Sequence, residues 1–271
     1  MNKKLLYFLL ALAFVIGFIL FLIYRPDEAE KRAEAALAQQ FVYESPTQFF
    51  PDDTAEQLVQ YTGVWLAYDE ESEQAEWVGY LITKEQLEHP VTKRSNRFKT
   101  DKHIISGSAT PKDYYKSGYD RGHLAPAADM LWSEDAMQES FYMSNMSPQL
   151  PAFNRGAWKR LEAAVRKVTL IEDSLIVISG PLFMDTLGYI GKNKVAIPSH
   201  YFKVIVDITK PGIGAVAYVM PNRNAKMDLD YYAISVDSLE SLTGLDFMAE
   251  LPDSIEDALE KEVSSELVAE F

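Results

Sequence analysis

Twenty consecutive residues without a formal charge, LLYFLLALAFVIGFILFLIY from Leu5 to Tyr24, follow the opening Met-Asn-Lys-Lys. At ~1.5 Å per residue a helix of that length spans about 30 Å, the thickness of a bilayer's hydrocarbon core. Lys3 and Lys4 precede the run, whereas Arg25 is followed at once by Asp27, Glu28 and Glu30. The positive-inside bias therefore puts the N-terminus in the cytoplasm and the bulk of the chain outside, in the periplasm or at the cell surface. A cleaved signal peptide, which would release a secreted protein, begins in the same way. The run is longer than an ordinary signal h-region and no small-x-small site follows it, which favours a retained anchor. The expected layout is a stub at 1–4, a membrane span at 5–24, a stalk or linker at 25–57, one principal domain at 58–250 and an acidic tail helix at 251–271.

Beyond residue 40 the chain consists of short apolar runs separated by turn signals. With 271 residues, 48% of them hydrophobic and 24% charged, it has ample material for one core. Tyr61–Asp69 and Glu76–Thr83, rich in aromatic and β-branched residues, read as paired strands joined by an acidic loop. Ser174–Phe183, Tyr201–Thr209 and Ile213–Pro221 read as buried strands bounded by Gly and Pro. Between the two groups, Asn154–Thr169 has helical spacing. Strands, a helix and then more strands predict an α+β fold with antiparallel sheets rather than an alternating parallel one. There is no cysteine, so disulfides and cysteine zinc sites are excluded. Any metal must be held by oxygen or imidazole, which favours a hard ion such as Mg²⁺.

The net charge of −14 argues against a polyanionic partner, but its distribution does not. Between Val91 and Leu170 there are thirteen Lys or Arg and eight Asp or Glu, a local net of +5 that leaves −19 for the remainder. A local positive field is what phosphate contact requires. A merely solvated surface would read the same on charge alone.

Inside that window stands Asp120-Arg121-Gly122-His123, among small residues. A histidine with a free acceptor nitrogen can take a proton from water near neutral pH, and Gly122 permits unusual dihedrals or a close approach. Thirty-one residues after His123 comes Asn154, which a helix start could use simply as an N-cap. Asn154, Trp158 and Glu162 recur at i, i+4 and i+8, along one side of a regular helix. On such a helix Asn154 and Glu162 would stand about 12 Å apart along the axis, too far for both to bind one ion directly. An amide oxygen on a hydrated ion, with the carboxylate on one of the ion's waters, suits Mg²⁺.

Tyr119–Met130, YDRGHLAPAADM, followed by Ser144–Glu162, SNMSPQLPAFNRGAWKRLE, resembles the DNA/RNA non-specific endonuclease family, the ββα-metal (His-Me finger) nucleases. Arg94–Asp101, RSNRFKTD, and later segments support the resemblance in order, from Tyr61 to Leu251. The resemblance implies a ββα-metal fold flanked by helices and hydrolysis of phosphodiester bonds in DNA and RNA. His123 would be the general base, and Asn154 the direct ligand of a hydrated Mg²⁺, with Mn²⁺ as a substitute. Glu162 would hold a metal-bound water and Arg94 the scissile phosphate, with Arg94 preferred to Arg97 because R-S-x-x-F-x-x-D aligns Phe98 and Asp101. Arg121 is the second cation, Asp120 fixes local geometry, and Asn145 and Gln149 support the site. The acidic balance and lack of cysteine differ from secreted, disulfide-containing relatives, but neither touches these positions. Relatives in the family can dimerise, so the resemblance also allows a homodimer.

Two other functions fit parts of the pattern. A surface protein that captures nucleic acid for uptake without cutting it would need only the charge window. A phosphodiesterase for small substrates would keep the chemistry and change what enters the site.

Overall fold

Alternation along a strand sends successive side chains to opposite faces, and here both faces are buried. The computed structural model describes residues 43–52, 57–185, 187–209 and 214–271. The apolar run Leu5–Tyr24 and the following stalk up to residue 42 lie outside the described residues. Among those described, no helix is long and apolar enough to cross a membrane.

In chain order the strands and helices are β1 (Gln57–Gln60), β2 (Trp65–Asp69), β3 (Gln74–Thr83), α1 (Lys84–Glu88), β4 (Asp120–His123), α2 (Glu134–Glu139), β5 (Met146–Gln149) and α3 (Lys159–Glu172). They continue with β6 (Ser174–Leu182), β7 (Tyr189–Ile190), β8 (Val195–Ala196), β9 (His200–Asp207), β10 (Gly214–Pro221) and β11 (Ala233–Ile234). Three helices close the chain, α4 (Val236–Thr243), α5 (Asp253–Glu260) and α6 (Ser265–Val268). Seven strands form one sheet in the order β1-β2-β3-β6-β9-β10-β11, every adjacent pair antiparallel. The expected antiparallel α+β class is the one observed. The first predicted strand, Tyr61–Asp69, is shorter than expected: Tyr61–Val64 form a turn, only Trp65–Asp69 is strand, and its partner β1 lies upstream at Gln57–Gln60.

The central strands explain the layering. On β9, Tyr201 and Ile205 join one apolar cluster, and Phe202, Val204 and Val206 join the other. The first cluster also takes Leu124, Phe141, Trp158, Leu161 and Val165, so β4, β5 and α3 cover that face. The second takes Val236, Leu239, Ile255 and Leu259, so α4 and α5 cover the opposite face. Lys203 lies between Tyr201 and Ile205 and therefore points toward the face that carries β4 and α3.

Three expectations need correction. The segment expected to start a regular helix at Asn154 forms a looser, kinked turn, Phe153–Trp158, and the α-helix begins only at Lys159. Gly156, at φ −108° and ψ −107°, departs from helical geometry and causes the kink. The acidic tail is helical but docked, because Ile255, Leu259 and Leu267 are buried and Phe271 packs against Tyr218 at 5.5 Å. At the other end, Phe49 and Phe50 are buried within the span expected to be linker, so the folded unit starts before residue 57.

Candidate active site

The Asp-Arg-Gly-His stretch is β4, and its partner β5 sets Asp120 opposite Gln149 and His123 opposite Met146. Gly122 is required by a close approach: a Cβ there would lie 2.2 Å from Gln149 Cδ. Gly122→Ala is expected to destabilise the fold by about 1–3 kcal/mol, because Gln149 is wedged in the buried interior and must shift. Chemical denaturation of the variant measures that loss, and an unchanged midpoint would contradict the close packing.

His123 is 8% exposed, set edge-on to Phe141 at 4.8 Å and tilted against Phe98 at 5.8 Å. Trp158 Nε1 donates to its backbone oxygen at 3.2 Å, fixing β4 to the kinked turn. The ring's Nε2 is buried without a hydrogen-bond partner. A doubly protonated ring would leave an N–H there with no acceptor. Burial above all, then the positive charges of Arg94 and Arg121, pushes the His123 imidazole down to about 3. The ring is therefore neutral at physiological pH and has acceptor capacity. The unfolded chain takes up a proton near pH 6.5 that the native site refuses until about pH 3. Stability is thus fully present above pH 6.5 and falls with pH toward 3, by about 1.4 kcal/mol per unit inside that window. His123→Gln should flatten the acid limb of a stability–pH curve between pH 6.5 and 4. A curve with the wild-type slope would refute the assignment.

Asn154 and Glu162 meet His123 across a cleft of about 620 Å³ that Arg94, Arg121 and Asp120 also line. Asn154 does not cap a helix; its Nδ2 donates to Asp120 Oδ2 at 2.9 Å. Arg155 adds two bonds to the same carboxylate, Nε to Oδ2 at 2.8 Å and Nη2 to Oδ1 at 2.7 Å. These partners hold the Asp120 carboxyl below its ordinary range, against the opposing effect of burial. The Asn154 amide is thus turned with its nitrogen toward Asp120. Trp158, expected on the same side as Asn154 and Glu162, is fully buried under the site, because the kink changes the turn's phase.

Arg121 lies over the Phe98 ring at 4.0 Å, and Arg94 over Phe141 at 5.3 Å. Both rings also border His123, so one aromatic corner positions the imidazole and both guanidinium groups. Arg97 lines a neighbouring groove that Arg94 shares, and of the two only Arg94 also lines the cleft. Asn145 fastens the chain after His123, accepting from Ala125 N at 2.9 Å and donating to Ala125 O and Ser140 O. Gln149 is buried with both side-chain polar atoms unpartnered.

Beneath Glu162 is an ionic layer that motif reading missed. Asp129 is fully buried and accepts from Tyr80 Oη at 2.9 Å and Arg166 Nη1 at 2.8 Å. Lys203 is buried, donates to Ser179 Oγ and stands 4.6 Å over the Trp158 ring. Burial, aided by Asp129, holds the Glu162 carboxyl up at about 7, while Lys203, Arg166 and Arg94 oppose the shift. Two signals were present in the sequence: Arg166 follows Glu162 by four residues, and Lys203 is a lone lysine inside an apolar strand.

Residues 46–254 match the DNA/RNA non-specific endonuclease family. Human mitochondrial endonuclease G is 38% identical over 197 residues, 68% of this chain and 66% of that protein. A nuclease of Nostoc sp. is 33% identical over 234 residues, 82% of each chain. The crystal structure of the EndoG/EndoGI complex, described with the mechanism of EndoG inhibition, contains a chain superimposing with a TM-score of 0.71 at 30% identity. The match covers 79% of this chain and 95% of that one. The chain spans about two-thirds of the length of the mammalian endonuclease G proteins it matches.

Proposed function

Since this chain belongs to the DNA/RNA non-specific endonuclease family, we propose that it is a nuclease, hydrolysing phosphodiester bonds of DNA and RNA in the cleft between β4 and α3. The observation that carries the reading is a buried, neutral histidine facing an amide and a carboxylate across a cleft lined by arginines.

His123 accepts the proton of the attacking water, which a ring held neutral can do. Arg94 and Arg121 attract the phosphate, and its negative charge offsets the two cations that depress His123, so a bound substrate strengthens the base. Asp120 orients Asn154 by accepting from its amide nitrogen, leaving the amide oxygen as the metal-binding end. The donors available are oxygens, with no cysteine in the chain, a set that fits Mg²⁺ or Mn²⁺. Asn154 would hold the ion directly and Glu162 would accept from one of its waters. The bound ion supplies stabilisation of the negative charge gathering on phosphate and on the leaving 3′ oxygen. Every group named addresses phosphate or water and none addresses a base edge, which supports cleavage without sequence preference. All of them come from one chain, so the reaction does not require a homodimer.

On the same reading the protein is anchored by Leu5–Tyr24 with its catalytic domain outside the cytoplasm; protease accessibility in intact cells tests this. Digestion of plasmid DNA and of RNA by the full chain in Mg²⁺ tests the activity. Asn154→Ala should abolish most metal-stimulated turnover in both digestions. Salt-dependent binding without turnover would favour a capture protein, and activity confined to small diesters would favour a phosphodiesterase.

A further inference from the structure

On the face of the sheet opposite the cleft, α4 and α5 lie against β10 and touch each other. Asp237 lies in the first turn of α4, Glu240 follows one turn later, and Glu260 ends α5. One carboxylate oxygen from each lies within 4.8 Å of the other two. Acidic side chains often gather on a surface without consequence, but Glu260 is not on the surface. It is 5% exposed, and its Oε1 is buried with no hydrogen-bond partner. Glu240 Oε1 accepts from Phe247 N at 2.7 Å, and its carboxyl group lies beside that of Glu260. None of the ion pairs among the described residues involves the three.

We propose that Asp237, Glu240 and Glu260 form a structural divalent-cation site of the Ca²⁺ class, separate from the cleft, which fastens α4 to α5. Three anionic oxygen donors, one enclosed and one open to water, match the ligand preference of Ca²⁺ and leave room for coordinating waters. Ligand oxygens on opposite sides of one Ca²⁺ stand about 4.6–5.2 Å apart, a span that accommodates this cluster. The smaller Mg²⁺ demands a near-ideal octahedron that two helices meeting edge to edge do not supply.

The inference is independent of the nuclease reading, and its test is designed to keep the two apart. The full chain carrying Asn154→Ala, stripped with chelator, is titrated with CaCl₂ by calorimetry and melted with and without millimolar Ca²⁺; MgCl₂ is the comparison. The expected result is one Ca²⁺ bound per chain and a Tm rise of about 3–6 °C. Adding Asp237→Asn, an exposed substitution that leaves the core intact, should abolish both, and Glu260→Gln should do the same. An equal Ca²⁺ shift with Asp237→Asn present would overturn the site. Absence of binding at millimolar Ca²⁺ would also overturn it and leave Glu240 and Glu260 as a pair sharing a proton.

Discussion

Replacing His123 with alanine is expected to lower kcat for both plasmid DNA and RNA by about 10²- to 10⁴-fold, the range a positioned general base supplies. The fold should survive, because Trp158 donates to the backbone oxygen of residue 123 and not to its ring. Phe141 loses an edge-on contact with the imidazole and Phe98 a tilted one. Binding of substrate should change far less than turnover, since Arg94 and Arg121 remain. Turnover within a few-fold of wild type, with circular dichroism unchanged, would remove His123 from the chemistry. The same measurement on Asn145→Ala separates support from catalysis. That substitution frees Ala125 and Ser140 from their bonds and should cost stability together with activity.

The largest effect on stability is expected at Asp129. Its carboxylate is fully enclosed, and Arg166 and Tyr80 are its hydrogen-bond donors. Asp129→Ala leaves Arg166 facing a buried void and removes negative charge that favours the protonated form of Lys203. Deleting one partner of such a pair costs about 3–5 kcal/mol, and the lower end applies here because Arg166 is 24% exposed and can rehydrate. A lower denaturant midpoint at an unchanged m-value would register the loss. Asp129→Asn keeps the shape and the bond from Tyr80, so it should fall between wild type and the alanine variant. A loss below about 1 kcal/mol would mean that water reaches the pair.

Much of this arrangement could be read from the chain, for identifiable reasons. Strands β6, β9 and β10 announced themselves because burial on both faces leaves few polar positions to blur the run. His123, Asp120 and Arg121 were legible because they fall in four consecutive residues, and one strand presents them all. Asn154 was legible as a residue but not as a geometry. Helical spacing assumed uniform winding, and Gly156 interrupts it, so the phase between Asn154, Trp158 and Glu162 had to come from three dimensions. Asp129 and Lys203 lie seventy-four residues apart, and only the sheet brings their charges to one place. The docking of the tail was hidden for a different reason. Its acidic residues outnumber its apolar anchors, yet Ile255, Leu259 and Leu267 suffice to bind it.

That docked tail also finishes the sheet. β11 pairs with only Ala217 and Tyr218 of β10, leaving Gly214–Val216 without a neighbouring strand on that side among the described residues. The last residues occupy the place instead: Ser264 N donates to Ala215 O at 3.0 Å, and its side chain fills the space where a Cβ on Gly214 would project. An uncovered strand edge invites a second chain to add its own strand. Removing the residues after Lys261 would open such an edge along β10. The truncated protein would self-associate through its backbone, which makes this last segment a guard of solubility.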